Sequence, residues 1–512
     1  MHVYDRYLFP RGSLARRAAK RGIRIVRQLA PGLADRLAPL RRRLLSRLYE
    51  ESEAPQVSAA ALVETPRASE PAGGEAARRS AETGTGHGAN RAPRSTAIAV
   101  ASSAGAPSVD PSSLRVMHLI GSLQAGGAER QVLYTLEGLR RRGYRLAELM
   151  VTEGLRGSLG HYRAAIERAG VPVSVAGDRF DPSFESELAA RPGLAERLRA
   201  IPFVLRPRVS DLAGELLVRR PHVLHCWLDH TNLWGGAAAA IVGVPRIILS
   251  TRNVSPMHMP HLREPWFEEW YRALAAMPNV LLVNNSKAGA EDYAKWLDIP
   301  LERFRVILNG VDFSHVERPS LEVRAAFRAE LGIPAAVPLV TGVFRMADEK
   351  QPQVFVRVAE RVLDRAPNAQ VLLAGAGRLE REIRRSMKRS RHAKRMHHLG
   401  RREDVPTILA ESRVVLLTSK AEGTPNVLLE AQHLGCPPVT TAAGGAGDAI
   451  DPGATGFVRP IGDEAGIVEA VLRLLDDSAL HASMAAAGPR WVRSRFGLER
   501  MIDETIDLYR GL

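Results

Sequence analysis

The stretch that most constrains this chain runs from Val414 to Gly435. Val414-Val415-Leu416-Leu417-Thr418-Ser419 is apolar and β-branched, as a strand buried on both faces of a parallel sheet must be. A tight turn, Ala421-Glu422-Gly423-Thr424-Pro425, leads into a helix predicted to start near Pro425 and to stop at Gly435. Proline suits a first helical position, and glycine the residue just past a helix end. This order sets Gly423, Thr424, Pro425, Asn426 and Val427 at the carboxyl edge of a sheet, with free backbone N–H groups facing outward. Ligands bind α/β sheets at that edge, and a helix N-terminus attracts phosphate, so the segment is predicted to be an anion socket.

Two carboxylates frame the socket, Glu422 in the loop and Glu430 on the helix, with seven residues between. A helical wheel puts Val427, Ala431 and Leu434 on the core stripe and Glu430 at its edge. A half-buried carboxylate needs donors, and a vicinal diol such as that of ribose offers two side by side. By the same logic Glu422 is placed to hold sugar hydroxyls. Spacing alone leaves a second reading open, a loop glutamate in solvent and a helix glutamate paired with an arginine.

A chain of 512 residues has room for two or three domains, and 45% hydrophobic against 25% charged residues is a globular composition. Cys226 and Cys436 stand far apart without metal-ligand spacing, which points to a reducing, cytoplasmic setting. No run of eighteen apolar residues offers a membrane span. The net charge of +15 is concentrated: residues 1–50 hold 13 Lys/Arg against 3 acids, and residues 378–402 hold 11 against 2.

Residues 1–50 read as a basic amphipathic helical extension broken at Pro31-Gly32, with an anionic membrane surface as one predicted partner and docking on its own protein as the alternative. Residues 51–113, rich in Ala, Ser, Gly, Pro and Thr, read as a disordered linker. A strand from Leu114 to Ile120 then opens an α/β domain at 114–315, with Gly126 and Gly127 at the turn into a long helix. Val223-Leu224-His225-Cys226-Trp227 and Arg246-Ile247-Ile248-Leu249-Ser250 are predicted to be adjacent parallel strands. Their ends carry His225, Arg252 and Asn253, candidates for contact with a second substrate. Arg252 is suited either to clamping a phosphate or to a structural hydrogen bond.

A second α/β domain, 316–495, opens with Leu339-Val340-Thr341-Gly342-Val343-Phe344, and Arg345 and Lys350 after it can together neutralise a diphosphate. Gly375-Ala376-Gly377 follows a strand, but Glu380 stands where a dinucleotide site needs its third glycine. The basic helix after it, with Leu379, Ile383 and Met387 as its apolar stripe, reads as a solvated face.

Taken in order from Leu114 to the C-terminus, these stretches resemble the group 1 (family 4) retaining glycosyltransferases. Glu422 and Glu430 match that family's Glu-x7-Glu signature, and Gly126-Gly127-Ala128-Glu129-Arg130 its first loop. The resemblance implies two Rossmann-like domains facing across a cleft (the GT-B fold), with residues 496–512 as a helix crossing back to the first domain. It further implies that Arg345 and Lys350 hold a leaving diphosphate, that Gly126 and Gly127 lie against diphosphate and acceptor, and that the segment at Arg401 backs the base. Glu422, Arg345 and Lys350 become the catalytic candidates. The implied partners are a nucleotide-sugar donor and a glycan or lipid-linked acceptor, with no nucleic acid and no cofactor or metal, consistent with the lack of an Asp-x-Asp pair. The basic N-terminal helices add an expected setting in cell-surface polysaccharide synthesis, in the cytoplasm, with the inner face of the cell membrane as one location there. Many relatives carry a histidine where this chain has Arg252, so no catalytic histidine is carried over. Competing expectations are a sugar-nucleotide epimerase or phosphorylase on the same scaffold, or a non-catalytic lipid- or nucleic-acid-binding protein. Aromatic content of 5% speaks against the nucleic-acid part of the last.

Overall fold

The computed structural model describes residues 110–177, 186–187, 190–191, 193–203 and 205–510. The basic extension predicted at 1–50 lies outside the described residues, as does the linker predicted at 51–113 apart from its last four positions.

Two parallel sheets organise the rest. The first comprises β1 (Val116–Ile120), β2 (Ala147–Val151), β3 (Val173–Val175), β4 (Val223–Trp227), β5 (Arg246–Thr251), β6 (Val280–Asn284) and β7 (Phe304–Val306), in the order β3-β2-β1-β4-β5-β6-β7. The second comprises β8 (Leu339–Val343), β9 (Gln370–Ala374), β10 (Met396–Gly400), β11 (Val414–Leu417), β12 (Pro438–Thr441) and β13 (Phe457–Arg459), in the order β10-β9-β8-β11-β12-β13. Helices cover both faces of each sheet, so β1, β4 and β11 are buried along their whole length; β11 is apolar throughout, and β1 and β4 are apolar apart from His118 and His225.

Strand order reverses between β1 and β4 in one sheet and between β8 and β11 in the other. Crevices at such switch points are where open α/β sheets bind ligands. The loops issuing there carry Gly126-Gly127 after β1, Leu228 after β4, Arg345–Lys350 after β8 and Lys420–Pro425 after β11. The topology therefore delivers most of the candidate residues to two facing edges.

Six helices matter below: α1 (Gly127–Arg141), α2 (Asp229–Val242), α3 (Lys287–Leu297), α4 (Pro352–Arg365), α5 (Asn426–His433) and α6 (Leu498–Arg510). α5 starts one residue later than predicted, because Pro425 caps it in an extended conformation (φ −75°, ψ 108°). Gly435 does stand past its end with φ +77°. The predicted core stripe was too narrow. Leu428 and Leu429 are fully buried beside Ala431, while Val427 is only half-buried, since α5 is packed nearly all round.

α6 packs against α1, where Ile502 lies so close to Gly138 that a methyl group there would meet it at 2.3 Å. Its far end is tied to the first sheet by a chain of buried hydrogen bonds. Trp227 Nε1 donates to His118 Nδ1 at 3.1 Å, so His118 Nε2 carries the proton that faces the Tyr509 hydroxyl at 3.0 Å. Tyr509 in turn donates to His225 Nδ1 at 2.8 Å, and His225 Nε2 donates to Ser250 Oγ at 2.7 Å.

Both cysteines are buried and unpaired with each other. The basic helix Glu380–Arg389 buries Ile383 and Met387 and exposes Arg381, Arg384, Arg385, Lys388 and Arg389, the solvated face expected of it. Gly375 follows β9 with φ +133°, and a Cβ there would stand 1.9 Å from the Phe344 carbonyl. This glycine lets the ends of β8 and β9 approach each other. Among the described residues no helix is long and apolar enough to cross a membrane.

Candidate functional site

The loop after β11 is closed on itself by its own chemistry. Glu422 is 5% exposed, which rules out a solvated loop glutamate. Its Oε1 accepts from Ser419 Oγ at 2.6 Å and lies 2.5 Å from Lys350 Nζ. Lys350 ends a short turn after β8, and the Thr418 hydroxyl braces that turn by donating toward the Lys350 carbonyl at 3.3 Å and the Gln351 carbonyl at 3.2 Å. Two candidates from different strands, Lys350 and Glu422, are thus in direct contact.

Arg345 reaches the same turn by another route. Its Nη2 lies 2.5 Å from Glu349 Oε1, while 70% of its own side chain stays exposed. Burial, the largest influence on Glu349, works to raise its pKa. The Arg345 hydrogen bond, the backbone and Lys350 outweigh it and hold the carboxyl below its ordinary value. Arg345 also acts electrostatically on Glu129 of the first domain, so it faces the opposite lobe.

On that lobe, a Cβ at Gly127 would stand 3.7 Å from Asn426 Nδ2, so the first turns of α1 and α5 confront each other. At Gly126 the Glu129 carboxylate folds back over the start of α1, where a Cβ would meet Glu129 Oε2 at 2.1 Å. This helix end is faced by its own carboxylate, whose pKa is raised chiefly by burial.

Glu430 is 8% exposed and pairs across the cleft, with Arg130 Nη2 standing 2.6 Å from its Oε1. The alternative of a helix glutamate paired with an arginine is therefore what the structure shows for Glu430. Arg130 belongs to the Gly126–Arg130 stretch, yet nothing in the local sequence signals a partner 300 positions away.

The socket also holds the lobes together. Thr424 Oγ1 donates to the Asn285 carbonyl at 2.6 Å, so its hydroxyl is committed to the first lobe. Asn309 Nδ2 donates to the Thr424 carbonyl at 3.0 Å and to Asn426 Oδ1 at 2.8 Å. A Cβ on Gly423 would fall 2.2 Å from the Arg252 carbonyl. The Thr424 hydroxyl and carbonyl and the side-chain oxygen of Asn426 are thus engaged by the first lobe, while Asn426 Nδ2 faces Gly127.

The acceptor candidates fare differently. His225 is corrected: at 2% exposure, with both ring nitrogens engaged by Tyr509 and Ser250, it is a core residue. Burial, His118 and Arg252 together push its pKa well below the ordinary value. Asn253 turns its side chain inward, with Oδ1 accepting from the Val254 amide at 2.8 Å. Arg252 donates to Asn309 Oδ1 at 2.5 Å and lies over the Trp227 ring at 4.9 Å. Among the described residues no carboxylate pairs with it, and burial pushes its guanidinium down to about 9. Arg401, after β10, is exposed, and its charge is felt by Tyr162 on the other lobe.

A cavity of about 490 Å³ opens beside this cluster, between His258–His261 of the first lobe and Asp348, Glu349 and Lys420 of the second. Among the described residues no group of three or more His, Cys, Asp or Glu side chains is arranged to hold a metal ion.

Comparison with known proteins matches both lobes. Residues 125–315 match the model for "Glycosyltransferase Family 4" and residues 337–477 that for "Glycosyl transferases group 1", together well over half of the chain. The Vi polysaccharide biosynthesis protein VipC/TviE of Salmonella typhi is 31% identical over 357 residues, 66% of this chain and 61% of its own length. An Escherichia coli UDP-Gal:α-D-GlcNAc-diphosphoundecaprenol α-1,3-galactosyltransferase is 25% identical over 56% of this chain and 74% of its own. Anabaena HepE, solved in complex with UDP, superposes with a TM-score of 0.63 at 20% identity over 78% of this chain and all of HepE. WaaG, a glycosyltransferase involved in lipopolysaccharide biosynthesis, gives 0.57 at 14% over 78% of this chain and all of its own. Two facing parallel-sheet lobes of GT-B type, each matched by its own family model, place this chain among the group 1, family 4 glycosyltransferases.

Proposed function

We propose that this protein transfers a sugar, with retention of anomeric configuration, from a nucleotide-sugar donor to a glycan or lipid-linked acceptor of a cell-surface polysaccharide. The observation that carries the reading is the meeting of Lys350, Glu422, Arg130 and Glu430 at the two facing switch points. Glycosyl transfer develops positive character on the sugar carbon and negative charge on the departing diphosphate. Fixed donors aimed at that diphosphate stabilise the transition state without reorganising. Lys350, Arg345 and the first turn of α5 are those donors. Glu422 holds Lys350 in place and offers its second oxygen to sugar hydroxyls, and Glu430 takes the ribose diol. The cavity between His258–His261 and Glu349 gives an acceptor a way to the same point.

Support from relatives is of the same kind: one is named for a diphosphoundecaprenol-linked acceptor, and HepE was solved with UDP and with UDP-glucose. We place the protein on the cytoplasmic face of the membrane, held there by residues 1–50, and read the reaction as independent of a metal ion. The test is product analysis. Purified protein incubated with UDP- and GDP-sugars and a polyprenyl-diphosphate-linked sugar acceptor should form a new glycosidic bond. An altered sugar nucleotide, or cleavage that depends on inorganic phosphate, would overturn the reading in favour of an epimerase or a phosphorylase.

A further inference from the structure

Arg130 and Glu430 are a pair with a purpose that the transfer reaction alone does not require. They stand on opposite lobes, 300 positions apart, with Nη2 2.6 Å from Oε1. The side chains retain 30% and 11% exposure, and Tyr134 and Tyr162 lie close enough for their hydroxyls to feel both charges. Burial alone would disfavour the Arg130 cation; Glu430 and its neighbours more than offset this, so the guanidinium stays charged because a carboxylate faces it. Arg130 lies one turn along α1 from Gly127, and the start of α1 abuts the start of α5, where the donor diphosphate is placed.

On the donor-site reading above, Glu430 receives the ribose diol. Arg130 already faces Oε1, one of the two oxygens that a diol held side by side would use, so the arriving hydroxyls compete with the guanidinium for Glu430. A guanidinium that loses its carboxylate in a half-buried cleft needs another anion. The diol arrives covalently attached to one, because the ribose of a nucleoside diphosphate carries the diphosphate on its 5′ oxygen.

We propose that Arg130 exchanges partners on donor binding. It leaves Glu430 for the diphosphate while Glu430 accepts the ribose hydroxyls. The one ion pair between Arg130 and Glu430 thus becomes two charge-assisted contacts to the ligand, one from each lobe, and only a ligand bearing both diol and phosphate satisfies both residues. Arg130 is then a diphosphate-binding residue, and the exchange links nucleotide capture to contact between the lobes.

The test is calorimetric titration of the full chain with UDP, uridine, GDP and guanosine, on the wild type and on Arg130→Met, Arg130→Lys and Glu430→Gln. For the base the protein accepts, Arg130→Met should weaken the nucleoside diphosphate about tenfold or more. It should leave the matching nucleoside unchanged or bound more tightly, since Glu430 is then free from the start. Arg130→Lys should recover most of the loss. An ion pair that merely braces the lobes would not distinguish the two ligands. Equal weakening of nucleoside and diphosphate by Arg130→Met, or of neither, would overturn the exchange. In that event a nucleoside affinity still lowered by Glu430→Gln would leave the donor-site reading standing. Failure of the wild type to bind either diphosphate would overturn that reading and the exchange with it.

Discussion

At the scale of single residues, the site is a set of charges that hold one another until a substrate arrives. Glu422 is nearly buried, and its contacts with Lys350 and Ser419 satisfy one oxygen. Lys350→Met should therefore lower kcat by about 10²- to 10³-fold, the range for removing one preorganised donor from a developing anion. Glu422→Gln keeps the shape and the Ser419 contact and should cost turnover more than folding, with about 1–2 kcal/mol of stability. Wild-type rates with a measured sugar-nucleotide assay in both variants would contradict the assignment. Gly423 tests the contact between the lobes. Its missing Cβ makes room for the Arg252 carbonyl, which is backbone and cannot swing aside. Gly423→Ala should destabilise by about 1–3 kcal/mol and weaken nucleotide binding as well, read by denaturant melts and calorimetry. What the sequence shows at this scale is the identity of Glu422, Glu430, Lys350 and Arg345. It does not show their pairings, because Arg130–Glu430 and Lys350–Glu422 are made between elements far apart in the chain, and spacing along one helix carries no information about the helix opposite.

At the scale of elements, strands were legible and their hydrogen-bonding duties were not. β1, β4, β5, β6, β8, β9 and β11 are apolar, β-branched runs that end in glycine or polar residues, and the sequence marks them within a residue or two. β3 and β13 are three-residue edge strands with half-buried side chains, too short to leave a periodic signal. His225 looked like a ligand because it sits in a strand near a switch point, where chemistry gathers. It proved to be one link in a chain joining Trp227, His118, Tyr509 and Ser250, a role set by α6 returning from the far end of the sequence. That chain predicts a pH dependence. Burial pushes His118 down to about 3 from an ordinary 6.5, and His225 is also held well below its ordinary value. The unfolded chain then binds these protons more readily than the folded one. The stability they contribute is fully present above about pH 6.5 and is lost as pH falls from there toward about 3. At pH 5 His118 alone should account for about 2 kcal/mol. Denaturant melts at pH 7.5 and pH 5.0 check this, and an unchanged midpoint would contradict the buried neutral histidines.

At the scale of the whole molecule, charge and cleft divide the labour. The two strongly basic segments lie at 1–50 and 378–402, and five of the cations of the second, Arg381, Arg384, Arg385, Lys388 and Arg389, stand on an exposed helix face. Attraction of about 1 kcal/mol per Lys/Arg near an anionic surface is ample for reversible attachment by the first. Deleting residues 1–50 should move the protein from a salt-extractable membrane fraction to the soluble one without altering nucleotide binding, and an unchanged partition would count against membrane attachment. The cleft itself is legible as a fold, since the order of motifs implies two facing lobes. The pairings made in it are not, because they join residues far apart in the chain.

Both lobes are expected to grip one nucleoside diphosphate, and thermal denaturation with UDP, GDP and ADP reads that grip. Ligand at about 100 times its dissociation constant adds roughly 2.7 kcal/mol to the folded state. One of these nucleotides should stabilise the wild type, and Glu430→Ala and Lys350→Met should each lose most of that stabilisation. A wild type indifferent to all three, or variants that respond as the wild type does, would contradict it.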